Sequence, residues 1–565
     1  MALNITVMPK SSGGGWIVTS TAPTPINVTV VTAVESISSD DAAWALTCAF
    51  LILTMQTGFA MLECGCVSVK NIANIMIKNV VDVSLGGLSY WMFGYAMSFG
   101  TPSNWFVGYG DFFFTVSDPT KPAGTEYARY FFQFSFATTA TTIVSGAVAE
   151  RMKLHAYMAF SFLNTAVYCI PASWAWNGGD GENYLGGFLY RLKFFDFAGV
   201  CVVHMSGGAS ALVAAAMLGP RVARYTEPQR YQMHSPVTAL TGMFMLWWAW
   251  LGFNCGSTFG VSGELWKITA LVSVTTLNGA IGGGCVGLFL SIILKKGKID
   301  VGFVINSCLG GLVGITGIAA VTSPAESLCI GAFGGLFAIA GVYIVDYFLI
   351  DDPVGAVAVH MIAGIWGTLS VGLFAKNNSI DQLQGQNGLL HGGGFYMIGV
   401  QLLGIVCIGC FAAMTTFLLL SILRATMGIR MSPEDEILGA DWVEHDIHSE
   451  QWSQNLEDTL KTIKPEEWNE IIRKINYELK TTETQPMESS HRIFSRDAAM
   501  PSIPTATMLS DLDSHSNDVS MITQIRDRKR LQSAAIYPNI PHTVTGSYDA
   551  SGKGPNKLYV KRSIH

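Results

Sequence analysis

Long apolar blocks separated by short polar breaks fill the chain from residue 42 to residue 424, and there the pattern stops. The hydrocarbon core of a bilayer is about 30 Å thick, so a crossing helix needs roughly 20 mostly apolar residues. Windows of that kind lie at 42–64, 72–99, 128–149, 155–176, 197–218, 236–256, 266–294, 301–321, 327–350, 356–375 and 395–424. The pattern predicts an all-α integral membrane protein with eleven transmembrane helices and its two ends on opposite sides. Ser38-Ser39-Asp40-Asp41 supplies N-cap chemistry for the first helix. The divisions that follow are an N-terminal tail over 1–41, a membrane domain over 42–424, a polar segment over 425–480 and a tail over 481–565.

Composition sharpens this. Only 13% of the 565 residues are charged, against about 25% in soluble domains, and the mean hydropathy is +0.36. A soluble enzyme, a nucleic-acid binder and a disordered scaffold are excluded for most of the chain; the net charge of -7 adds little, because the charges sit mainly in loops and the tail. All 11 cysteines fall between Cys48 and Cys410, so they read as small buried hydrophobes, not a secreted disulfide framework. Cys64-Gly65-Cys66 has the shape of a metal or redox pair but lacks partner ligands. No removable signal peptide is expected at the N-terminus.

Basic residues orient the helices. One set of connections holds Lys70, Arg151, Lys153, Arg221, Arg224, Arg230, Lys295, Lys296, Lys298, Arg424 and Arg430. The other holds Lys10, Lys121, Arg191, Lys193, Lys267 and Lys376, so the first set is cytoplasmic and the N-terminus extracellular. Glycosylation sequons at Asn4, Asn27 and Asn377 all fall on the outer side of that arrangement. The glycine pairs and triplets at Gly86-Gly87, Gly207-Gly208, Gly282-Gly283-Gly284, Gly310-Gly311 and Gly334-Gly335 read as close helix contacts inside lipid.

Two windows share a motif. Asp196, Gly199, Val203, His204, Met205 and Gly208 recur at the same offsets as Asp352, Gly355, Val359, His360, Met361 and Gly364. The fifth and tenth helices run in opposite directions, so helices 1–5 and 6–10 read as an inverted repeat whose shared site lies near the midplane; helix 11 is left at the periphery. Histidine follows aspartate by eight residues, about 12 Å along a helix. Entering from opposite faces, His204 and His360 reach the middle of the membrane and meet. Ionisable residues in a span are functional candidates, because burying them is costly. A zinc site would need another inward ligand, and His155, His234 and His391 fall in loops. With no HExxH and no GxSxG motif either, an enzyme is disfavoured.

Aromatic and small polar residues cluster around Phe132 and Phe136, around Trp176, and from Trp250 through Phe253 to Ser257. An interfacial aromatic belt explains any one of them; beside mirrored histidines, the group fits a cation-recruiting vestibule. Over about residues 40 to 445 the chain closely resembles the ammonium transporters of the Amt/MEP/Rh family. The strongest match is the run 196–221, with Val200 standing where a small residue is usual. The resemblance implies a homotrimer with a pore in each subunit, at the plasma membrane. It implies an outer ammonium site at Phe136, Trp176 and Ser257 supported by Asp196, a phenyl gate of Phe136 and Phe253, and Phe132 and Trp250 as lining. His204 and His360 match the twin pore histidines, and Asp352 supports the second copy. Trp176 and Ser257 together favour the Amt branch.

The mechanism this suggests is recruitment of ammonium, deprotonation near the gate, and passage of neutral ammonia with the proton relayed by the histidine pair. No cofactor, metal or nucleic acid is called for; methylammonium is a second candidate substrate. The alternatives are an electroneutral ammonia channel and an ammonium sensor on a transporter scaffold. Residues 425–445 resemble the family's cytosolic docking segment, with Gly439 and Asp441 as the matching regulatory positions, and a negative group at Thr426 or Ser432 is expected to undock it. Beyond it, 465–480 reads as a short amphipathic helix. From Thr481 the composition predicts disorder, and the basic run at Arg526 is a candidate lipid contact.

Overall fold

The computed structural model describes residues 5–9, 16–20, 37–117, 122–179, 185–226, 228–377 and 385–447. Asn4, Asn27, the 465–480 helix, the 481–565 tail and Arg526 lie outside the described residues. The N-terminal tail carries a hairpin, in which Ile5–Pro9 pairs antiparallel with Trp16–Ser20. Strands of five residues fall below the length that a search for membrane windows registers.

The membrane domain is helical. Helix α1 is Ser39–Cys66, capped by the Ser38 hydroxyl, which accepts the Asp41 N–H at 3.1 Å. Helix α2 runs over 72–99, broken by π-turns at Asp82–Gly86 and Tyr90–Gly94. Then come α3 (Ala123–Ala147), α4 (Leu154–Trp176), α5 (Val200–Leu218) and α6 (Pro236–Gly256). The series continues with α7 (Leu265–Leu294), α8 (Val301–Thr316), α9 (Pro324–Tyr347), α10 (Val357–Phe374) and α11 (Tyr396–Thr426). Two short helices follow, α12 (Pro433–Leu438) and α13 (Ala440–His445). Seven of these, α1, α5, α6, α7, α9, α10 and α11, are each long and apolar enough to cross a membrane. His155 falls in the first turn of α4 and not in a loop, because Leu154 opens that helix with its N–H bonded to Glu444.

Helix ends follow local chemistry. Ser235 caps α6 ahead of Pro236, Asp300 caps α8, and Ser323 with Glu326 forms a reciprocal capping box on α9. The most extensive interface joins α1 to α6, and α7, α8 and α9 form a second tight group. Glycine makes the latter possible. A Cβ on Gly283 would sit 2.2 Å from the Ser307 carbonyl oxygen, and one on Gly331 2.1 Å from that of Gly279. Gly311 meets the Gly279 carbonyl in the same way, so these glycines are backbone contacts, as lipid-embedded packing favours. Only 22% of the apolar window of α11 is buried, against 78% for α5, so α11 lies on the outside and α5 at the centre.

One end of the bundle is pinned by charge. The Arg221 guanidinium bonds Asp351 at 2.7 and 2.9 Å and Glu150 at 3.0 Å, and lies 4.3 Å from the Tyr231 ring. Three inter-helix connections, 148–153, 219–226 and 348–356, meet there. The segment after α11 joins them: Arg430 bonds Glu436 at 2.6 Å and the Leu218 carbonyl at 2.6 Å.

Candidate functional site

The site is built where α5 and α10 begin. Each opens with a π-turn, Val200–Met205 and Val357–Ile362, a rare form that concentrates at functional sites. Each is preceded by a glycine in the left-handed region, Gly199 at φ +92° and Gly355 at φ +78°. Each is also capped by the aspartate of the motif. The Asp196 carboxylate accepts the N–H groups of Gly199, Val200, Cys201 and Val202 at 2.9, 2.7, 2.9 and 3.0 Å. Asp352 accepts those of Ala356 and Val357 at 3.0 and 2.8 Å. These carboxylates accept otherwise unpaired donors at a helix start, four on Asp196 and two on Asp352, and so fix the position and rotation of the histidine eight residues on.

His204 and His360 face each other with their Nδ1 atoms 3.2 Å apart and their rings near parallel at 18°. Both are buried. Trp250 stacks on His204 at 4.8 Å and donates its indole N–H to Thr316 at 2.8 Å. Phe253 lies 5.4 Å from His204 and 6.1 Å from Trp250, and stacks on Phe136 at 4.0 Å and 10°. Beyond that pair opens a cavity of about 540 Å³ lined by Phe132, Phe136, Trp176, Asp196, Ser257 and Phe259, among others. Trp176 lies 6.2 Å from Phe136 and donates its indole N–H to the Asp196 carbonyl at 2.8 Å. Ser257 donates its hydroxyl to the Phe253 carbonyl at 2.9 Å, leaving its lone pairs for an incoming donor.

The structure thus brings Phe132, Phe136, Trp176, Asp196 and Ser257 to one cavity, and Phe253, His204 and His360 onto one line beneath it. Trp250 belongs to the histidines and does not reach the vestibule among its described contacts. Asp352 reaches the line only through the start of α10. Three residues escaped the sequence reading. Phe259 sits at φ +53° in the loop after α6 and packs on Phe132 at 4.8 Å, a placement without periodicity to reveal it. Phe59 lies 5.9 Å from His360, and one turn further on Glu63 shares a small cavity with that histidine. Glu63 did carry a signal, as the one carboxylate within the first apolar window, near its end.

The positions expected to be regulatory lie against the start of α2. Gly439 holds φ +101°, and Asp441 accepts the Ala73 and Asn74 N–H groups at 2.9 and 2.7 Å, at the start of α2. Ser432 caps α12, whereas Thr426 bonds back to the Ile422 carbonyl at the end of α11. Asn377 is exposed.

A model of the Ammonium Transporter Family matches residues 43–449. A Caenorhabditis elegans protein named "Putative ammonium transporter 3" is 41% identical over 429 residues, 73% of this chain and 61% of its own length, so this chain spans less than two thirds of that relative. The ammonium transporter Amt2 of Archaeoglobus fulgidus is 38% identical over 424 residues, 72% of this chain and 87% of its own. Among solved structures, one titled "Sensor Amt Protein" superposes with a TM-score of 0.64 at 32% identity, covering 72% of this chain and 98% of that one. The family match runs through every helix that builds the line from vestibule to histidines and on to Asp441, and on that ground the chain belongs to the ammonium transporter family.

Proposed function

We propose that the chain moves ammonium across a membrane by taking it apart. The observation that carries this reading is the order of groups along one axis: an aromatic cavity, a closed phenyl pair, then two touching imidazoles. Ammonium and potassium are close in size, so a size filter does not separate them. Ammonium differs in donating directed hydrogen bonds and in losing a proton. Phe136 and Trp176 cradle the cation, an attraction of about 2 kcal/mol or more once water is stripped away, and Ser257 accepts one of its N–H bonds. Asp196 acts through position, since its carboxylate is committed to four backbone donors.

A bare cation faces a large desolvation penalty at the stacked Phe136 and Phe253. Neutral ammonia does not. Deprotonation at the gate leaves ammonia to pass the phenyl pair and the proton to enter the imidazole pair, which titrates as one unit. The transport is electrogenic in this reading; an electroneutral ammonia channel would use the same lining without the relay.

The proposed topology has eleven crossings, with α2, α3, α4 and α8 completing the seven long apolar helices. Helices 1–5 and 6–10 form the inverted repeat, α11 lies outside it, the N-terminus is extracellular and the C-terminus cytosolic. The subunit acts in a homotrimer at the plasma membrane, with the segment around Gly439 and Asp441 as its regulatory element. The domain divisions at 41, 424 and 480 and the sequon at Asn377 belong to the same proposal. A sensor role is the second reading, favoured by the likeness to a solved structure titled as a sensor. Uptake of labelled methylammonium by expressing cells separates them: saturable uptake, competed by ammonium and not by potassium, is expected. Uptake no higher than in mock cells, with the protein at the surface, would leave the sensor reading.

A further inference from the structure

The polar side chains buried within the cytoplasmic half of α1 and α2, without a part in the axis described so far, include Glu63, Lys78, Asn79 and Asp82. Glu63 is set apart by its position. Together with His360, Phe59 and Val354 it lines a cavity of about 10 Å³ on the side of the histidine pair away from the phenyl gate. A cavity needs about 10–15 Å³ to hold one water, so this one is on the scale of a single bridging molecule.

The carboxylate is held without being used up. Its Oε1 accepts the Ser145 hydroxyl at 2.5 Å and its Oε2 accepts the Asn79 amide at 2.6 Å, which occupies two of about four lone-pair sites. The neighbouring charges are Lys78 and Asp82. Lys78 donates to the Met152 carbonyl at 3.1 Å, and Asp82 accepts the Tyr157 hydroxyl at 2.7 Å. Burying a carboxylate in a span is costly. The hydrogen bonds alone do not require one. A glutamine would accept from Asn79, which keeps its Ile75 carbonyl partner at 3.0 Å, and would donate its own amide to the Ser145 oxygen, whose proton goes to the Thr142 carbonyl at 2.7 Å. What the carboxylate adds is the capacity to take up a proton.

We infer that Glu63 is the proton acceptor on the cytoplasmic side of the pore. This rests on the reading that the proton leaves the substrate and crosses through the histidine pair. When the pair is protonated, the N–H bond of the His360 imidazolium breaks and its proton passes to the bridging water. A proton of that water forms the O–H bond of Glu63. The acid releases it to cytosolic water, which restores the carboxylate and leaves His360 neutral for the next cycle. Ammonia travels the same line but needs no acceptor.

The test measures charge moved per labelled methylammonium taken up, in voltage-clamped cells expressing the full chain, with surface levels matched. Wild type, Glu63→Gln and Glu63→Asp run together, across a range of cytosolic pH. Glu63→Gln is expected to lower the charge-to-uptake ratio at least about tenfold while uptake persists. Glu63→Asp is expected to keep the ratio and shift its dependence on cytosolic pH. A wild-type ratio in Glu63→Gln overturns the inference, as does a parallel loss of current and uptake, which marks a structural role. Should Glu63→Gln fail to reach the surface, Glu63→Asp decides: a shifted pH dependence supports the inference and an unchanged one overturns it. Wild-type uptake without current overturns the relay itself, and the inference with it.

Discussion

Replacing Asp351 by asparagine tests the charged clamp that ties the helix connections together. The side chain is 1% exposed and accepts Arg221 through its backbone N–H at 3.0 Å, its Nε at 2.7 Å and its Nη2 at 2.9 Å, with Arg224 at 3.2 Å. Burial alone would raise this carboxyl, but the hydrogen bonds and charge of Arg221, then the charge of Arg151, outweigh it and hold it at about 2 against an ordinary 3.8. At about 1.4 kcal/mol per unit, that difference corresponds to roughly 2.5 kcal/mol. Removing one partner of a buried pair costs about 3–5 kcal/mol; Glu150 still holds Arg221 at 3.0 Å, which keeps the expected loss near the lower end. Asp351→Asn should therefore lose about 3 kcal/mol at pH 7. The sign with pH is fixed. A depressed carboxyl contributes fully above about pH 4, and that contribution fades as pH falls toward 2. Denaturant unfolding in detergent, followed by tryptophan fluorescence at pH 7 and at low pH, reads the difference. A loss below about 0.5 kcal/mol at pH 7, the range of ordinary surface changes, or a gap unchanged at pH 2.5, would refute the reasoning.

Phe253→Ala opens the stack on Phe136 and uncovers His204, so a potassium current should appear beside the ammonium response. Phe253→Leu retains more of the packing and is the control for the cost of an emptied aromatic site, about 3–5 kcal/mol. Gly439→Ala puts a Cβ 2.5 Å from that of Lys70 at a backbone angle of φ +101°. It should free the segment that Asp441 anchors to α2, seen as faster tryptic cleavage after Arg430 and lower uptake; unchanged cleavage would show that the segment tolerates the side chain.

The membrane architecture was legible because lipid imposes length and apolarity directly on the sequence. The mirrored motifs do bring His204 and His360 together, but not over eight residues of helix: α5 and α10 begin at Val200 and Val357, so each histidine lies in the opening π-turn. Where reading failed, the signal was of another kind. The π-turns that open α5 and α10 arise from backbone donors gathered on Asp196 and Asp352, which a search for apolar windows does not weigh. Asp196 is expected to support the outer site without touching ammonium, and its carboxylate is spent on four backbone N–H groups at the start of α5. Trp250 was grouped with the vestibule because Phe253 is its neighbour in sequence, yet three residues of helix turn it onto His204. Phe259 was invisible because a loop at positive φ has no period. The hairpin over 5–20 was missed because its strands are short.

The central claim is that ammonium crosses as ammonia and a proton, with the histidine pair carrying the proton. The most direct measurement is voltage-clamp current on adding ammonium and, separately, potassium to cells expressing wild type or His204→Ala, with labelled methylammonium uptake recorded in the same cells. The account predicts a saturable inward current for ammonium alone in wild type, and a current altered or abolished in His204→Ala. Ammonium uptake without current, or a current in His204→Ala indistinguishable from wild type, would contradict it.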